Sequence, residues 1–441
     1  MSATTKIQLT IKTSYLPKWG VWEGLRELVQ NARDAEVEHR AKMDIRHGGD
    51  FLRIENRGTT LPIKALLLGH TTKVGNEATI GQFGEGLKLG ILALVRAGIA
   101  VKIRNGDEVW TPIIEHSDVF DEDVLAFEVK GGNKFHNRVC VEVACSKKAW
   151  DDVRDRLLFV RRPKKAEAIE TRYGTLLLGE KYKGRVYVKG IYVSDHSDLQ
   201  FGYDLTYANL DRDRKMVEYW NLKTMTRSVL LQALNKSPKL RKGAFEIFEQ
   251  STPETEGVEY SLDSLGDEVA ADVAKAFAAK YGEDAVPVQT LAESADIEHL
   301  GKRGVVVGKG LQTVLAQTIG SLEKVQEDLR KEVVKTYSWH ELSDAQKTNL
   351  VESIELVDVA AGLKLDDVVV VDFRSANLMG QFADGRVLIA AKHLESADDT
   401  LSTLVHEVSH RSGGDGDKGH VAELERIWTA IVAHLWTKVA G

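Results

Sequence analysis

The stretch RELVQNARDAE, residues 26–36, decides the fold of the first part of this chain. Its apolar residues recur every three to four positions, which predicts a helix over residues 22–46. Glu27, Asn31 and Asp34 lie at i, i+4 and i+7 and therefore share one stripe of that helix. An inward stripe is normally apolar, so this one either faces solvent or needs a polar partner.

Two further stretches follow in order. LRIENRGTTLP at 52–62 predicts a strand that runs into a glycine-containing turn. LLLGHTTKVGNEATIGQFGEGLKLGILALVR at 66–96 places Gly81, Gly84 and Gly86 at the start of another helix. Backbone N–H groups of such glycines can approach a phosphate, and the helix N-terminus adds positive partial charge. The stretch lacks the GK[ST] of a Walker motif and does not follow a strand as a dinucleotide fingerprint does.

Taken together, these segments resemble the GHKL ATPases: gyrase, heat-shock chaperones, histidine kinases, MutL and MORC. ELVQNARDA is similar to their first motif, LGHTTKVG to their lid segment and IGQFGEGLK to their glycine-rich lid motif, over about residues 15–105. The resemblance implies an N-terminal α/β sandwich of the Bergerat type that binds ATP and Mg²⁺. It also implies a homodimer that forms when the lid closes over ATP.

The resemblance also implies roles for the polar stripe. Glu27 would be the general base that orients the attacking water, Asn31 would ligate Mg²⁺, and Asp34 would support the nucleotide end of the pocket. A carboxylate can accept a proton from water, and an amide oxygen is a hard ligand that suits Mg²⁺. Phosphoryl transfer then needs mainly positioning and charge neutralisation. The residues expected near the phosphates are Lys73, Gly81, Gly84, Gly86 and Lys88.

One position departs from the family pattern. The second GHKL motif has Asp-x-Gly, whose carboxylate accepts from the adenine amino group, and here Asn56 and Gly58 occupy those places. An amide oxygen can still accept this bond. Glu55 would point to the opposite face of the strand. Kinase activity is the alternative within the family, but histidine kinases usually lack the glutamate that Glu27 represents, which favours hydrolysis.

A middle segment carries basic residues that are candidates for sensing the nucleotide. YVKGIYVSD at 187–195 and FGYDLTYANLDRDRKMVEYW at 201–220 resemble the transducer region of the chaperone and MutL branches. In that region a basic side chain reaches the γ-phosphate, and the candidates here are Lys189, Arg212 and Arg214. The alternative is an ordinary charged turn followed by the start of a helix.

HEVSH at residues 406–410 is the second chemical motif. His406 and His410 are at i, i+4 on a predicted helix, so both imidazoles can share one tetrahedral zinc ion. Glu407 is placed to take a proton from a metal-bound water. The last 80 or so residues resemble zincin metallopeptidases, in which the strand before the helix, here residues 386–394, aligns a peptide substrate by β-addition.

The third zinc ligand follows no standard spacing. His420 is the best candidate because it lies near a helix start, and the fallback ligands are Asp415, Asp417 and Glu423. Two alternatives remain open: a structural zinc site with four protein ligands, and two histidines that are merely hydrogen-bonded.

The 441 residues, with 43% hydrophobic and 28% charged, are typical of globular protein. We predict a mixed α+β multidomain fold: an ATPase domain at 1–165, a transducer-like α/β segment at 166–240, a helical connector at 241–355 and a small zincin-like α+β domain at 356–441. Within the connector, the apolar pattern predicts one long helix over 311–337, with Glu327 and Lys331 as an i, i+4 pair.

Composition limits the partners. With 59 Lys and Arg against 66 Asp and Glu, the net charge is −7, so nucleic acid is possible but not favoured. Two basic clusters are the places where nucleic acid would bind: Arg161, Arg162, Lys164 and Lys165, and Lys236, Lys239, Arg241 and Lys242. No segment is apolar enough to span a membrane. Two unbridged cysteines, Cys140 and Cys145, fit a cytoplasmic protein.

The functional hypothesis is an ATPase whose nucleotide state gates a zinc metallopeptidase acting on a protein substrate. It is motivated by the presence of both motifs in one chain. The alternative is an ATP-operated dimeric clamp or chaperone on nucleic acid or a partner protein, with a zinc module that does not cleave peptides.

Overall fold

A computed structural model describes residues 4–67, 85–207 and 219–440. Its contacts divide the chain into two compact units, Met1–Ala233 and Leu234–Gly441. Both units combine helices with small sheets, so the chain is a mixed α+β multidomain protein, as its sequence predicts. The finer division into four segments stays a prediction. None of the helices in the described ranges is long and apolar enough to cross a membrane.

Within the described residues, the first unit begins with a five-stranded antiparallel sheet. Its elements in chain order are β1 (Thr4–Lys12), α1 (Val21–His39), β2 (Lys42–Gly48), β3 (Phe51–Arg57), α2 (Gly86–Arg96), β4 (Val101–Ser117), β5 (Glu122–Ala144) and α3 (Lys147–Arg154). The strand order is β1-β5-β3-β2, and β4 pairs with β5 along most of its length.

Helices α1 and α2 pack against this sheet and enclose its core. The side chains that are at most 2% exposed there include Leu25, Leu28, Val29, Ile54, Ile91, Leu94, Trp110, Phe127 and Val143. Burial of each large apolar side chain of this kind stabilises the fold by about 1.5–3 kcal/mol. Apolar side chains therefore pack around the other sides of α1, away from its polar stripe.

The two helices approach each other at a pair of glycines. A Cβ at Gly24 would lie 2.6 Å from Cγ of Leu94, and a Cβ at Gly90 would lie 2.9 Å from Cβ of Glu27. Each added carbon would also come within 3.0 Å of the other glycine's carbonyl oxygen. Glycine at both positions therefore sets the distance between α1 and α2, and with it the surroundings of Glu27.

Arg96, at the end of α2, fixes the loop that leads into α1. Its guanidinium donates hydrogen bonds of 2.7–3.0 Å to the carbonyl oxygens of Thr13, Tyr15, Leu16 and Trp19. Guanidinium presents several donors in a fixed planar fork, which suits it to bind a loop of carbonyl groups. The start of α1 is thus tied to the end of α2.

A second sheet completes the first unit. It contains β6 (Ala168–Glu170), β7 (Gly174–Leu177), β8 (Arg185–Val188), β9 (Ile191–Asp195) and β10 (Gly202–Leu205), and α4 (Tyr219–Lys236) follows it. The order is β6-β7-β10-β8-β9, with β8 and β10 parallel and the other pairs antiparallel. Lys189 occupies the β8–β9 turn at a positive φ of 51°.

The second unit begins with helices and two short strands. These are α5 (Pro238–Arg241), α6 (Ala244–Glu249), α7 (Asp267–Tyr281), β11 (Ala285–Val288), α8 (Leu291–His299), β12 (Arg303–Val306), α9 (Lys309–Ile319) and α10 (Leu322–Lys331). Strands β11 and β12 pair in parallel. The segment predicted as a helical connector therefore also contains strands.

A four-stranded sheet with three helices forms the C-terminal part of this unit. The elements are β13 (Val333–Thr336), α11 (Asp344–Ala361), β14 (Val368–Phe373), β15 (Gly380–Ala383), β16 (Arg386–Ala390), α12 (Ala397–Ser409) and α13 (Lys418–Ala440). The strand order is β13-β14-β16-β15. Apolar side chains of the three helices and of β16 share one buried cluster, so α12 is held on two sides.

Two helices predicted from apolar spacing are wrong in length. The helix predicted over 22–46 ends at His39, because Arg40 adopts a left-handed conformation with a φ of 51° and the next residues pair with β3. The helix predicted over 311–337 breaks at Gly320, whose φ is 96°, and α10 starts again with Ser321 as its N-cap. A glycine and an N-cap residue stop a helix even where the apolar spacing continues. The Glu327–Lys331 pair is confirmed, with its charged atoms 2.6 Å apart.

Replacing Gly90 by alanine is expected to lower the free energy of unfolding of the first unit by about 1–3 kcal/mol, because the new carbon overpacks the contact between α1 and α2. The measurement is hydrogen exchange of α1 and α2 peptides across a urea titration. Gly48→Ala is the control, since no atom lies within 4 Å of its would-be Cβ. Equal losses in both variants would contradict the glycine contact.

Candidate functional site

Four potential metal ligands converge in the second unit. His406 lies on α12, His410 lies one turn later in the short turn directly after that helix, Asp415 lies in the loop that follows, and His420 lies in the first turn of α13. One ligand atom from each of the four lies within 4.8 Å of the others. No other group of this kind is found in the described parts of the chain.

The spacing of these donor atoms suits a tetrahedral ion. Oδ1 of Asp415 is 3.3 Å from Nε2 of His406 and 3.6 Å from Nε2 of His410. Ligand atoms bound to zinc at its usual bond lengths in a tetrahedron lie about 3.3 Å apart. The three imidazole rings have centroids 4.4–5.1 Å apart. Three nitrogens and one oxygen therefore fit zinc in both chemistry and spacing.

His420 gives an independent indication of a ligand. It is 4% exposed, and its Nε2 has no hydrogen-bond partner among the described residues. A buried polar atom without a partner costs free energy, and a metal ion would supply that partner. His410 is oriented by its other nitrogen, since Nδ1 lies 3.1 Å from the carbonyl oxygen of Gly413 and Nε2 is left for the cluster.

Glu407 is buried beside these histidines, on the side that faces β15. It is 6% exposed, and Gly380 approaches so closely that a Cβ there would lie 2.7 Å from Cγ of Glu407. Burial raises the pKa of Glu407 to about 7, while His410 and a hydrogen bond from the Phe382 N–H act to lower that pKa. A carboxylate with a pKa near 7 is suited to accept and return a proton at neutral pH.

The strand predicted to align a substrate lies in the interior of the sheet. Strand β16 pairs with β14 on one side and β15 on the other, so within the described residues it offers no edge. The prediction that residues 386–394 bind a peptide by β-addition is therefore wrong. The edge strands of this sheet in the described residues are β13 and β15, and β15 is the one next to β16. The sequence pattern did not reveal β15 because it has four residues and contains a glycine.

The predicted third ligand, His420, belongs to the cluster, and so does the fallback ligand Asp415. The other two fallback residues have different partners. Asp417 accepts a 2.8 Å hydrogen bond from the N–H of Gly414 within the loop, and Glu423 pairs with Arg426.

The polar stripe of α1 in the first unit faces inward, with Glu27 and Asp34 each 1% exposed. Oε1 of Glu27 accepts hydrogen bonds of 3.0 and 3.1 Å from the guanidinium of Arg26. A Cβ at Gly86 would lie 2.2 Å from Oε2 of Glu27. The glycine at the start of α2 thus makes room for this carboxylate, and Arg26, which the motif comparison did not single out, balances its charge.

The two amides near this stripe are both tied to backbone. Nδ2 of Asn31 donates to the carbonyl oxygen of Glu27 at 2.7 Å, and the amide oxygen of Asn31 is the atom whose chemistry suits Mg²⁺. Nδ2 of Asn56 donates to Ala32 and Ala41 at 2.8 and 3.0 Å. Asn56 therefore links α1 to β3, and its oxygen is the atom that would accept from adenine.

Two further residues predicted to bind the nucleotide, Lys88 and Gly58, lie within the described parts of the chain. The ammonium of Lys88 donates to the carbonyl oxygens of Ala65 and Leu67, and burial lowers its pKa. Gly58 ends β3 with a φ of 93°, a conformation that favours glycine. The remaining predicted nucleotide-binding residues, Lys73, Gly81, Gly84, Arg212 and Arg214, lie outside the described residues.

A cavity of about 470 Å³ in the first unit brings together two residues predicted from separate motifs. Asp34 of α1 and Lys189 of the β8–β9 turn both line it, together with Arg33 and Asp204. Burial raises the pKa of Asp204 to about 6, although the Gly190 N–H donates a 2.7 Å bond to it. A role for Asp204 could not be predicted from the sequence, because a single aspartate in a strand has the same pattern as an ordinary solvent-facing residue.

The basic clusters predicted as nucleic-acid sites contain residues with acidic partners. Arg161 pairs with Asp155, and Arg241 pairs with Glu268 and Asp272. Charges neutralised in this way attract phosphates less strongly. Cys140 and Cys145 are both free and buried, and burial raises the pKa of Cys140 to about 11, so its thiol is unreactive at neutral pH.

Comparison with known proteins finds similarity to a family model and to one relative, both from Mycoplasma pneumoniae. Residues 152–236 match the family model described as the Mycoplasma pneumoniae MPN635 N-terminal domain. This stretch contains the second sheet, with Lys189 and Asp204, and α4. A Mycoplasma pneumoniae protein described as uncharacterized is 24% identical over 255 residues, which cover 52% of this chain and 98% of the relative.

Asp204→Asn is expected to stabilise the first unit at pH 7.5, by up to about 3 kcal/mol. The carboxyl group has a higher pKa in the folded than in the unfolded state, so the folded state binds more protons and loses stability as the pH rises through 6. The asparagine oxygen can still accept the bond from Gly190.

The measurement for Asp204→Asn is scanning calorimetry at pH 7.5 and at pH 4, where the gain should nearly vanish. Asp195→Asn, at an exposed aspartate on β9 of the same sheet, serves as the control with little effect at either pH. A gain that is the same at both pH values would show that the aspartate's charge is not its cause.

Proposed function

We propose that this protein is a zinc metallopeptidase acting on a protein substrate and that an N-terminal ATPase gates it. The observation that carries the peptidase part is the cluster of His406, His410, His420 and Asp415 beside the buried Glu407. Paired histidines alone would not require a buried and unpartnered Nε2 on a third histidine from another helix. A metal centre accounts for all of these features together.

The residues of this chain would divide the work of peptide hydrolysis. Zinc, when bound, supplies a Lewis acid and makes a bound water more acidic. Glu407 takes up the proton of the attacking water and later delivers it to the leaving amine. Gly380 allows β15 to lie close to Glu407, and the outer edge of β15, which pairs with no strand in the described residues, is the place where an extended peptide would add as another strand.

The ATPase part of the proposal rests on the GHKL-like motifs and on the surroundings of Glu27. Its carboxylate is buried between Arg26 and Gly86, and Asn31 lies one turn further along the same face of α1. Glu27 would activate water, Asn31 would hold Mg²⁺, and Asp34 with Lys189 would line the adjacent space. ATP-dependent dimerisation belongs to the same proposal.

Zinc content and proteolysis test the peptidase part. Purified wild-type protein is expected to carry one zinc per chain, His420→Ala to lose most of it, and Glu407→Gln to keep it while losing cleavage of casein by 100-fold or more, since general-base catalysis contributes about 10²–10⁴-fold. His434→Ala, on the same helix as His420, is the matched control and should keep both properties. Zinc-free wild-type protein would rule the proposal out.

ATP turnover tests the N-terminal part. Glu27→Ala is expected to bind Mg²⁺-ATP and to hydrolyse it at least about 100-fold more slowly than wild type, because the general base is gone. Glu38→Ala, a glutamate later on α1, is the control and should hydrolyse at the wild-type rate. If gating holds, casein cleavage by Glu27→Ala should differ from wild type when ATP is present. The same cleavage in every nucleotide state would refute the gate.

The clamp hypothesis is the second candidate, and one observation favours it. Asp415 is within reach of the same ion as the three histidines, and structural zinc sites are closed by four protein ligands. In that case Glu407→Gln would change no measured activity. DNA binding that weakens steeply with salt, and that is lost when Arg162 and Lys164 are replaced, would point to a clamp on nucleic acid.

A further inference from the structure

Asp415 differs from the three histidines in how it is held. Its side chain is 76% exposed, whereas those of His406 and His410 are 44% and 20% exposed and His420 is buried. The histidines belong to helices α12 and α13 or to the turn directly after α12, and apolar packing fixes those helices. Asp415 lies in the loop between these helices, and its side chain meets the cluster through His406 and His410.

The loop keeps its shape without the carboxylate of Asp415. Asp417 closes it, because its backbone N–H donates to the carbonyl oxygen of Gly414 at 3.0 Å and its side chain accepts from the Gly414 N–H at 2.8 Å. On the other side, the N–H of Gly413 donates to His410. These bonds anchor the turn from both ends and leave Asp415 at its tip.

Glycines flank Asp415 on both sides. Gly416 has a φ of 81° and open space around its would-be Cβ, and Gly413 has a φ of 152°. Residues without a side chain change backbone conformation at little steric cost. The tip of the loop can therefore swing outward while the three histidines and their helices stay in place.

We propose that Asp415 is a displaceable fourth ligand of the metal centre, which an anionic oxygen donor replaces. This inference rests on the zinc centre of the proposed function. A metal ion in this site would be held by three imidazole nitrogens and Oδ1 of Asp415, which would complete a four-ligand site. An incoming anionic oxygen would take the place of the Asp415 oxygen, and the carboxylate of Asp415 would be released to solvent, so that this exchange of one ligand for another would change no oxidation state.

The chemistry of the site selects the class of ligand that takes the place of Asp415. Three neutral imidazoles leave the charge of a divalent ion uncompensated, so the fourth position favours a hard, negatively charged oxygen such as a carboxylate or a hydroxamate. Oε2 of Glu407 lies 4.0 Å from Nε2 of His410, so a ligand at that position would lie close to the buried carboxyl group. A substrate carboxylate is the ligand of this class that the proposed function would supply.

The test uses the full chain loaded with Co²⁺, whose visible spectrum reports its ligands directly. Acetohydroxamate is titrated into wild type, Asp415→Ala and Asp366→Ala, the last being an exposed aspartate outside the cluster. If Asp415 holds the fourth position at least nine-tenths of the time, its removal should tighten acetohydroxamate binding about tenfold or more, because the competing ligand is gone. The spectrum before titration should also change in Asp415→Ala alone.

Zinc affinity provides a second readout that does not depend on catalysis. Asp415→Ala should still bind one zinc per chain, more weakly than wild type and Asp366→Ala by at least about tenfold. Identical cobalt spectra and hydroxamate affinities in all three proteins would overturn the role of Asp415 while the metal centre stands. Failure of the wild type to bind any metal would overturn both proposals. Absence of proteolysis alone would leave the displaceable ligand supported and the peptidase refuted.

Discussion

Burying an ionisable carboxyl group is costly, and both units of this protein meet that constraint with a glycine on the neighbouring element. Glu27 lies against Gly86 and Gly90 of α2, and Glu407 lies against Gly380 of β15. Any side chain at those glycines would displace the carboxylate. The positions of α2 and β15 therefore follow from the need to enclose one acidic side chain each, and the surrounding apolar cores hold those elements in place.

The two buried glutamates differ in the groups that lie near their carboxylates. Glu27 has a guanidinium partner in Arg26 within 3.0 Å, which compensates its charge in the buried site. Among the described residues, the ion-pair partner of Glu407 is His410, whose Nε2 lies 4.0 Å from Oε2 of Glu407, and burial raises the pKa of Glu407 to about 7. The first arrangement suits a carboxylate that positions water, and the second suits a group that gains and loses a proton.

The loop between α12 and α13 connects local geometry to the metal centre. His410 is oriented by Gly413, the turn is closed by Asp417, and Gly419 approaches Ser412 so closely that a Cβ there would lie 2.2 Å from its carbonyl oxygen. This tight return of the chain brings His420 back to His406 and His410. The loop thus brings the third imidazole, that of His420, to the cluster. At its tip it carries the exposed carboxylate of Asp415.

The sequence by itself determined the chemical motifs and the element types around them, because residue spacing on a helix fixes which side chains share a face. His406 and His410, and Glu27 with Asn31 and Asp34, follow from that rule alone. Tertiary structure decided what spacing along the chain cannot reveal. In the folded chain, His420 and Asp415 join the histidine cluster, whereas Asp417 and Glu423 do not. Strand β16 lies inside its sheet and β15 lies at one edge. Asp34 and Lys189 line the same cavity. Each of these outcomes depends on how loops return and which strands pair, and those long-range contacts leave no local pattern.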